Sequence, residues 1–303
     1  MKNFFSLIFL ALLVFACRPG KKKEVDLVTD NKPAETSIST IDAYNRFIKS
    51  LDTTDIASVS AAAQKYVELF AKTDSIQADS GFVLFEGLYD KMGNYLNEQH
   101  LKDSSNYDAY VLGRDTGNAT KSPKANAHVQ KLKDNGFTLG TVEGSTYIKQ
   151  DRNFLSKYFY PHISSVMKKY LTQVNKENEE GFIDDAGLLI TPLQLSERVL
   201  WWENFLKTHP SFVYVEEIKQ EQKGKTTFLL EGIDNTPLLD YNTKTLQTDY
   251  RKAFESVLKK HPQSATAALI KPYYEALKQK DTKTAKKLLQ QYKKQGIIYD
   301  YSA

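Results

Sequence analysis

In successive segments between Ile41 and Tyr292, apolar residues recur every three or four positions. That spacing gathers them on one face of a helix, so most of the chain is constrained to fold as amphipathic helices packed face to face. Ile41, Tyr44, Phe47, Ile48 and Leu51 make the first stripe. Ile56, Val59, Ala63, Tyr66 and Phe70 make the second, with Asp55 placed to cap it. Phe82, Phe85, Leu88, Met92 and Tyr95 make the third. Short connections between them predict antiparallel packing. Only 14 glycines and 9 prolines in 303 residues suit helices better than a turn-rich β fold.

Lys102 to Pro123 is a polar interruption whose Gly113, Gly117 and Lys121 lack the spacing of a phosphate loop. Ala125 to Lys133 reads as a helix ended at Gly136. Gly136 to Ile148, GFTLGTVEGSTYI, is rich in glycine and threonine and predicts a short hairpin or an ordered loop. Asn153 to Val174 carries a further stripe that Pro161 divides, and Asn175 to Asp185 reads as an acidic loop. Thr191 and Gln194 then form a capping box around Pro192. The helix they start follows Leu195, Val199, Trp202 and Leu206 to a stop at His209-Pro210.

Glu203-x-x-Leu206-Lys207-x-His209-Pro210 recurs 52 residues later as Glu255-x-x-Leu258-Lys259-x-His261-Pro262. Phe254 matches Trp202, and Ile270-Lys271 matches Ile218-Lys219 at the same offset. The last segment places Tyr273, Ala276 and Leu277 before Asp281, and Ala285, Leu288, Leu289 and Tyr292 after it, as two helices about a short turn. This punctuation resembles the helix ends of tetratricopeptide-type repeats, although their 34-residue period is absent. The expected fold is mainly α, built of packed antiparallel helical hairpins (tetratricopeptide-like or an irregular α-solenoid), with one short non-helical or hairpin segment near 136–148.

The chain begins MKNFFSLIFLALLVFAC. Lys2 supplies a positive start, and Phe4 to Ala16 is an uncharged run of about 13 residues, short of the roughly 20 that cross a bilayer. It has the make-up of an export signal. Cys17 is the only cysteine, so no partner within the chain can close a disulfide with it. The Val14-Phe15-Ala16-Cys17 ending resembles a bacterial lipoprotein box. That resemblance implies a signal peptide over 1–16, cleavage before Cys17, and acylation of its thiol and new amine. An ordinary signal peptide with an incidental cysteine is the alternative. Residues 17–37 read as a lipidated, flexible tether, whose length gives an r.m.s. span of about 25 Å. Residues 38–303 read as the helical domain, with a sub-boundary near 175–190. Lipoproteins sent to the cell surface in the Bacteroidota resemble one another in carrying acidic residues just after the cysteine. Arg18 and Lys21 to Lys23 depart from that pattern and point to an outer-membrane anchor facing the periplasm, with surface exposure as the alternative.

Chemistry is sparse. His100, His128, His162, His209 and His261 are scattered, without the spacing of a zinc helix. No G-x-S-x-G elbow is present, and an acylated Cys17 is no nucleophile. Candidate acid–base carboxylates are Glu143, Asp151, Asp184, Asp185, Glu197 and Glu203, with no sign that two converge. Glu143 could also mark a ligand approach between Val142 and Gly144, and Glu197 with Arg198 reads as a helix-surface ion pair. Trp202 falls on the buried stripe and Trp201 at its edge, where an indole suits a binding groove. Lys and Arg number 41 against 37 Asp and Glu, a near balance that argues against a nucleic-acid partner. The expected function is a membrane-anchored envelope lipoprotein acting as a non-enzymatic binding or scaffold module, with a protein or peptide partner and no cofactor or metal. The alternatives are a lipoprotein binding a small ligand or glycan, and a carboxylate hydrolase.

Overall fold

The structure, a computed structural model, describes residues 38–102, 123–142 and 145–301. Residues 1–37 with Cys17, over which a signal and tether are expected, the stretch 103–122 and Glu143 lie outside the described residues. Among the described residues the chain is mainly helical, with eleven α-helices and three two-stranded antiparallel hairpins. The first helices are α1 (Thr40–Ser50), α2 (Ala57–Phe70), α3 (Ser75–Lys102) and α4 (Pro123–Asp134). The hairpin β1 (Phe137–Val142) and β2 (Ser145–Gln150) follows, then α5 (Arg152–Tyr158) and α6 (Ser165–Glu180). Next come β3 (Ile183–Asp184), β4 (Gly187–Leu188), α7 (Pro192–Thr208), α8 (Val215–Glu231), β5 (Gly232–Ile233) and β6 (Thr236–Pro237). The chain closes with α9 (Thr248–Lys260), α10 (Ala265–Lys278) and α11 (Thr282–Lys294). No helix among the described residues is long and apolar enough to cross a membrane.

The stripes become the core as their spacing demands. Val59, Ala63, Tyr66 and Phe70 of α2 and Phe82, Phe85, Leu88 and Met92 of α3 are buried. Phe159 lies where they meet, 4.5 Å from the Tyr66 ring and 4.4 Å from that of Phe85, centroid to centroid. The buried Tyr44 hydroxyl donates to the Ala62 carbonyl at 3.0 Å, so an aromatic core need not strand its polar tips. The segment near 136–148 is the β1–β2 hairpin, seated on α3. There the Asn97 amide both donates to the Ile148 carbonyl (2.7 Å) and accepts its N–H (2.8 Å), standing in for a neighbouring strand. Tyr89 donates to the Gly136 carbonyl and accepts the Asp151 N–H, which ties the hairpin's ends to α3.

The Thr191–Gln194 capping box forms with Pro192 inside the first turn. Pro161 falls between α5 and α6, as its missing N–H requires. The acidic loop expected over Asn175–Asp185 is a correction. α6 continues to Glu180, because its last turns carry side chains that are buried against α7 and leave the backbone helical.

The repeated sequence corresponds to a repeated unit larger than its motif. α6–β3–β4–α7 and α8–β5–β6–α9 each run helix, two-residue hairpin, helix. The first helix of each ends on a glycine with positive φ, Gly181 (73°) and Gly232 (74°). At Gly232 a side chain would also collide with the Leu238 backbone nitrogen. The second helix of each ends on a histidine of nearly equal conformation, His209 at φ −132°, ψ 59° and His261 at φ −132°, ψ 49°. The two small hairpins lie side by side, Asn235 N–H donating to the Ala186 carbonyl (2.9 Å) and Leu188 N–H to Thr236 Oγ1 (2.9 Å). Buried apolar residues gather in two clusters, and α7 serves both. Leu195 and Val199 belong to the cluster with α9–α11, Trp202 and Phe205 to the cluster with α1–α6.

Candidate functional site

Helices α6, α7 and α8 and the start of α5 enclose a cleft of about 330 Å³. Its walls combine the apolar surfaces of Tyr170, Val174 and Ile218 with Arg152, Glu217 and Glu221, and its floor is Glu177, Trp202 and Lys225. The floor is charged yet closed to solvent. Side-chain exposure is 9% for Glu177, 6% for Lys225 and 5% for Arg198, which lies close beneath. Charges held so far from water cost several kcal/mol each unless paired and hydrogen-bonded.

Pairing accounts for how they persist. Glu177 Oε1 accepts the Trp202 indole N–H at 2.7 Å and the Gln173 amide at 2.8 Å. Its Oε2 lies 3.3 Å from Lys225 Nζ and 4.0 Å from Arg198 Nη1. Lys225 also reaches Glu221 at 3.0 Å, one turn away on α8. Arg198 Nη2 donates to Glu180 at 2.8 Å and to the Gly181 carbonyl at 2.9 Å, which fastens α7 to the end of α6. The Phe182 ring faces both cations, 5.9 Å from Arg198 Cζ and 5.7 Å from Lys225 Nζ. Arg198 Nε and Nη1 remain buried without a hydrogen-bond partner.

The Tyr170 wall is backed by Tyr214, whose ring stacks on it at 5.2 Å. Burial pushes both hydroxyls up, so they stay neutral donors. Tyr214 meets Glu86, whose carboxyl burial raises above its ordinary 4.5; Tyr214 and Arg152 oppose the shift, and Asp90 and Glu217 add to it. The folded chain therefore keeps that proton to higher pH than the unfolded chain, and stability drains away as pH rises from about 4.5 through the folded-state value. Glu86→Gln is expected to match the parent's unfolding midpoint near pH 4 and to exceed it increasingly toward pH 8. Thermal unfolding across that range checks this, and two parallel curves would contradict it.

A second, more open hollow of about 440 Å³ adjoins the first and shares Arg152 and Asn178 with it. The outer face of the hairpin (Thr138, Tyr147, Lys149) forms one side, and Asp151, Asn175 and Glu179 stand opposite.

The structure brings together a different set from the one the sequence singles out. Trp202 is buried on the cleft floor, whereas Trp201 lies outside the cleft, its ring stacked on Phe205 with centroids 5.3 Å apart. Trp201 instead borders a shallow hollow beside α6, with Lys169 Nζ 5.7 Å from its centroid. The surface ion pair expected of Glu197 and Arg198 is a correction. Glu197 is exposed, while Arg198 turns inward and pairs with Glu180, because α7 is covered on that side by α6. Glu203 caps α10, accepting the N–H groups of Ala265 (2.7 Å) and Thr266 (2.9 Å). Asp151 caps α5, and Asp184 lies in β3 beside the Asp185 turn.

Glu177 and Lys225 go unremarked in the sequence and Arg198 reads there as a surface charge, although each interrupts an apolar helical stripe, and that is the available sequence signal. Among the described residues no group of three or more His, Cys, Asp or Glu is placed to hold a metal ion. Glu177 has both oxygens engaged, while Glu217 and Glu221 sit one turn apart on one helix. The arrangement offers fixed charges and hydrogen bonds for recognition more than a free acid–base pair. No family model, curated protein or solved structure matches the chain.

Proposed function

We propose that the chain is a lipid-anchored protein of the cell envelope, held through acylated Cys17, whose helical domain is a non-enzymatic binding module for a small polar ligand. The observation that carries this reading is the α5–α8 cleft, of a size that small-molecule sites occupy, with a buried charged floor whose geometry is already set. A preset floor spares an occupant the ordering of long side chains. The periplasmic face of the outer membrane is the proposed location, from Arg18 and the lysines that follow Cys17.

The test is a thermal-shift screen of the mature protein against amino acids, peptides and oligosaccharides, run in parallel on Arg152→Ala. At least one compound is expected to raise the parent's midpoint by several degrees and the variant's by little. Shifts that Arg152→Ala leaves intact would place binding elsewhere. A second reading, a scaffold for a protein or peptide partner, draws on the half-buried Trp201 and its neighbouring Lys169 at an open surface. Trp201→Ala would then weaken partner capture more than it lowers the unfolding midpoint.

A further inference from the structure

We propose that the α5–α8 cleft takes a zwitterionic amino compound, a free amino acid or short peptide. Its anionic group would lie against Arg152 and Lys225, and its ammonium against Glu217 and Glu221. The proposal rests on the small-ligand reading above and supplies its chemistry.

The first argument is the valence left open around the cleft. Among the described residues Arg152 and Glu217 enter no hydrogen bond or ion pair, although both line it. Lys225 Nζ donates to Glu221 at 3.0 Å and lies 3.3 Å from Glu177 Oε2, its ammonium held at the cleft floor. One cation and one anion therefore line the cleft from different helices without a hydrogen bond or close ion pair, both within reach of the Glu86 carboxyl, and the Lys225 ammonium stands on the floor. A ligand of single charge satisfies one side and leaves the other exposed to a like charge. A molecule carrying both satisfies each. Tyr170, Val174 and Ile218 offer an apolar wall to its side chain, and about 330 Å³ limits its bulk.

The second argument comes from the repeated unit, which contains its own control. Glu177 stands four residues before Gly181, as Phe228 does before Gly232. Arg198 and Trp202 stand eleven and seven residues before His209, as Tyr250 and Phe254 do before His261. The Tyr250 hydroxyl lies 3.4 Å from the Phe228 carbonyl, so these positions face each other in both units. The second unit thus closes the same helix pair with three aromatic residues where the first buries a carboxylate, a guanidinium and an indole. Replacing a buried ion pair by packed apolar groups is often neutral or stabilising. The fold alone does not require the charges of the first unit. What they do accomplish is to hold Lys225 and Trp202 in place on the cleft floor, and Glu177 is a positioning residue in that sense.

Isothermal titration of the mature protein with L- and D-amino acids and alanyl dipeptides tests the ligand class. At least one is expected to bind, and N-acetylation or esterification of that compound should each weaken it about tenfold or more, the worth of one charge-assisted contact. Glu217→Gln should weaken the free compound and leave its N-acetyl form unchanged. Blocked forms that bind as well as the free one overturn the proposal. So does silence from the whole panel. In that case a neutral sugar that binds the parent and not Arg152→Ala would preserve the cleft as a site while removing the zwitterion. The triple variant Glu177→Phe, Arg198→Tyr, Trp202→Phe copies these three positions of the second unit into the first and leaves Lys225 paired with Glu221. It is expected to unfold at a midpoint close to the parent's while affinity falls at least about tenfold. A collapsed midpoint, or undiminished affinity in a stable variant, would show that the charges serve the fold or nothing at the cleft.

Discussion

Cys17→Ser is expected to move the protein from the membrane fraction to the soluble one and to abolish its labelling by fatty acid. The effect is near all-or-none because the anchor is additive in its chains. Each buried methylene contributes about 0.8 kcal/mol, a single acyl chain holds only marginally, and two hold for as long as the protein lasts. Without them the tether offers Arg18 and Lys21 to Lys23, each worth about 1 kcal/mol at best near an anionic surface and screened by salt. Growth with an alkynyl fatty acid, followed by fractionation of parent and variant, reads both outcomes. Label that persists on the serine variant would contradict an anchor at this residue.

Glu177→Ala is expected to be the most damaging single change in the helical domain, at about 3–5 kcal/mol. It strands the Trp202 indole N–H, removes one of two carboxylates from Lys225, and leaves Arg198 with Glu180 alone among its anions. For a domain of this size that is a drop of roughly 10 °C in midpoint. The contrast with the triple aromatic variant is the point. Removing Glu177 alone leaves both Arg198 and Lys225 short of a carboxylate, whereas the triple exchange removes the carboxylate and the guanidinium together and leaves Lys225 to Glu221. Thermal unfolding of the two variants side by side separates the cases. A Glu177→Ala midpoint within a degree or two of the parent would mean that the network is hydrated and carries little energy.

How much of this was legible beforehand follows from what one-dimensional spacing can report. The α2 and α3 stripes, the Thr191 capping box, the Pro161 break and the hairpin over 137–150 are local, and sequence periodicity and turn residues state them directly. The extent of α6 is not local. Asn175 to Glu180 looks polar and loop-like until Glu177 and Glu180 meet Trp202 and Arg198 from a helix 18 to 25 residues away. The repeat is visible in sequence around its His-Pro stops and the Ile-Lys pairs that follow, not at its first helices or hairpins. Its glycine ends carry different neighbours, Gly181-Phe182 against Gly232-Ile233, and the first hairpin begins two residues after its glycine where the second begins on it. The cleft was legible least. Arg152, Glu217 and Lys225 share no motif, and only the packing of α5 and α6 on α8 brings them to one opening. Trp201 drew attention as the edge residue of a stripe, and the structure gives the cleft to its buried neighbour instead.

The most direct measurement of the central claim, that this cleft is where the protein binds, is photo-crosslinking in intact cells from a benzophenone amino acid at Asn178. That residue stands at the junction of the two hollows. A matched probe at Lys260, exposed at the end of α9, serves as the control. Intact-mass spectrometry should find a discrete small adduct on the Asn178 probe and none on the control. The same adducts at both positions, or a protein as the sole adduct at Asn178, would contradict a small-ligand site in the α5–α8 cleft.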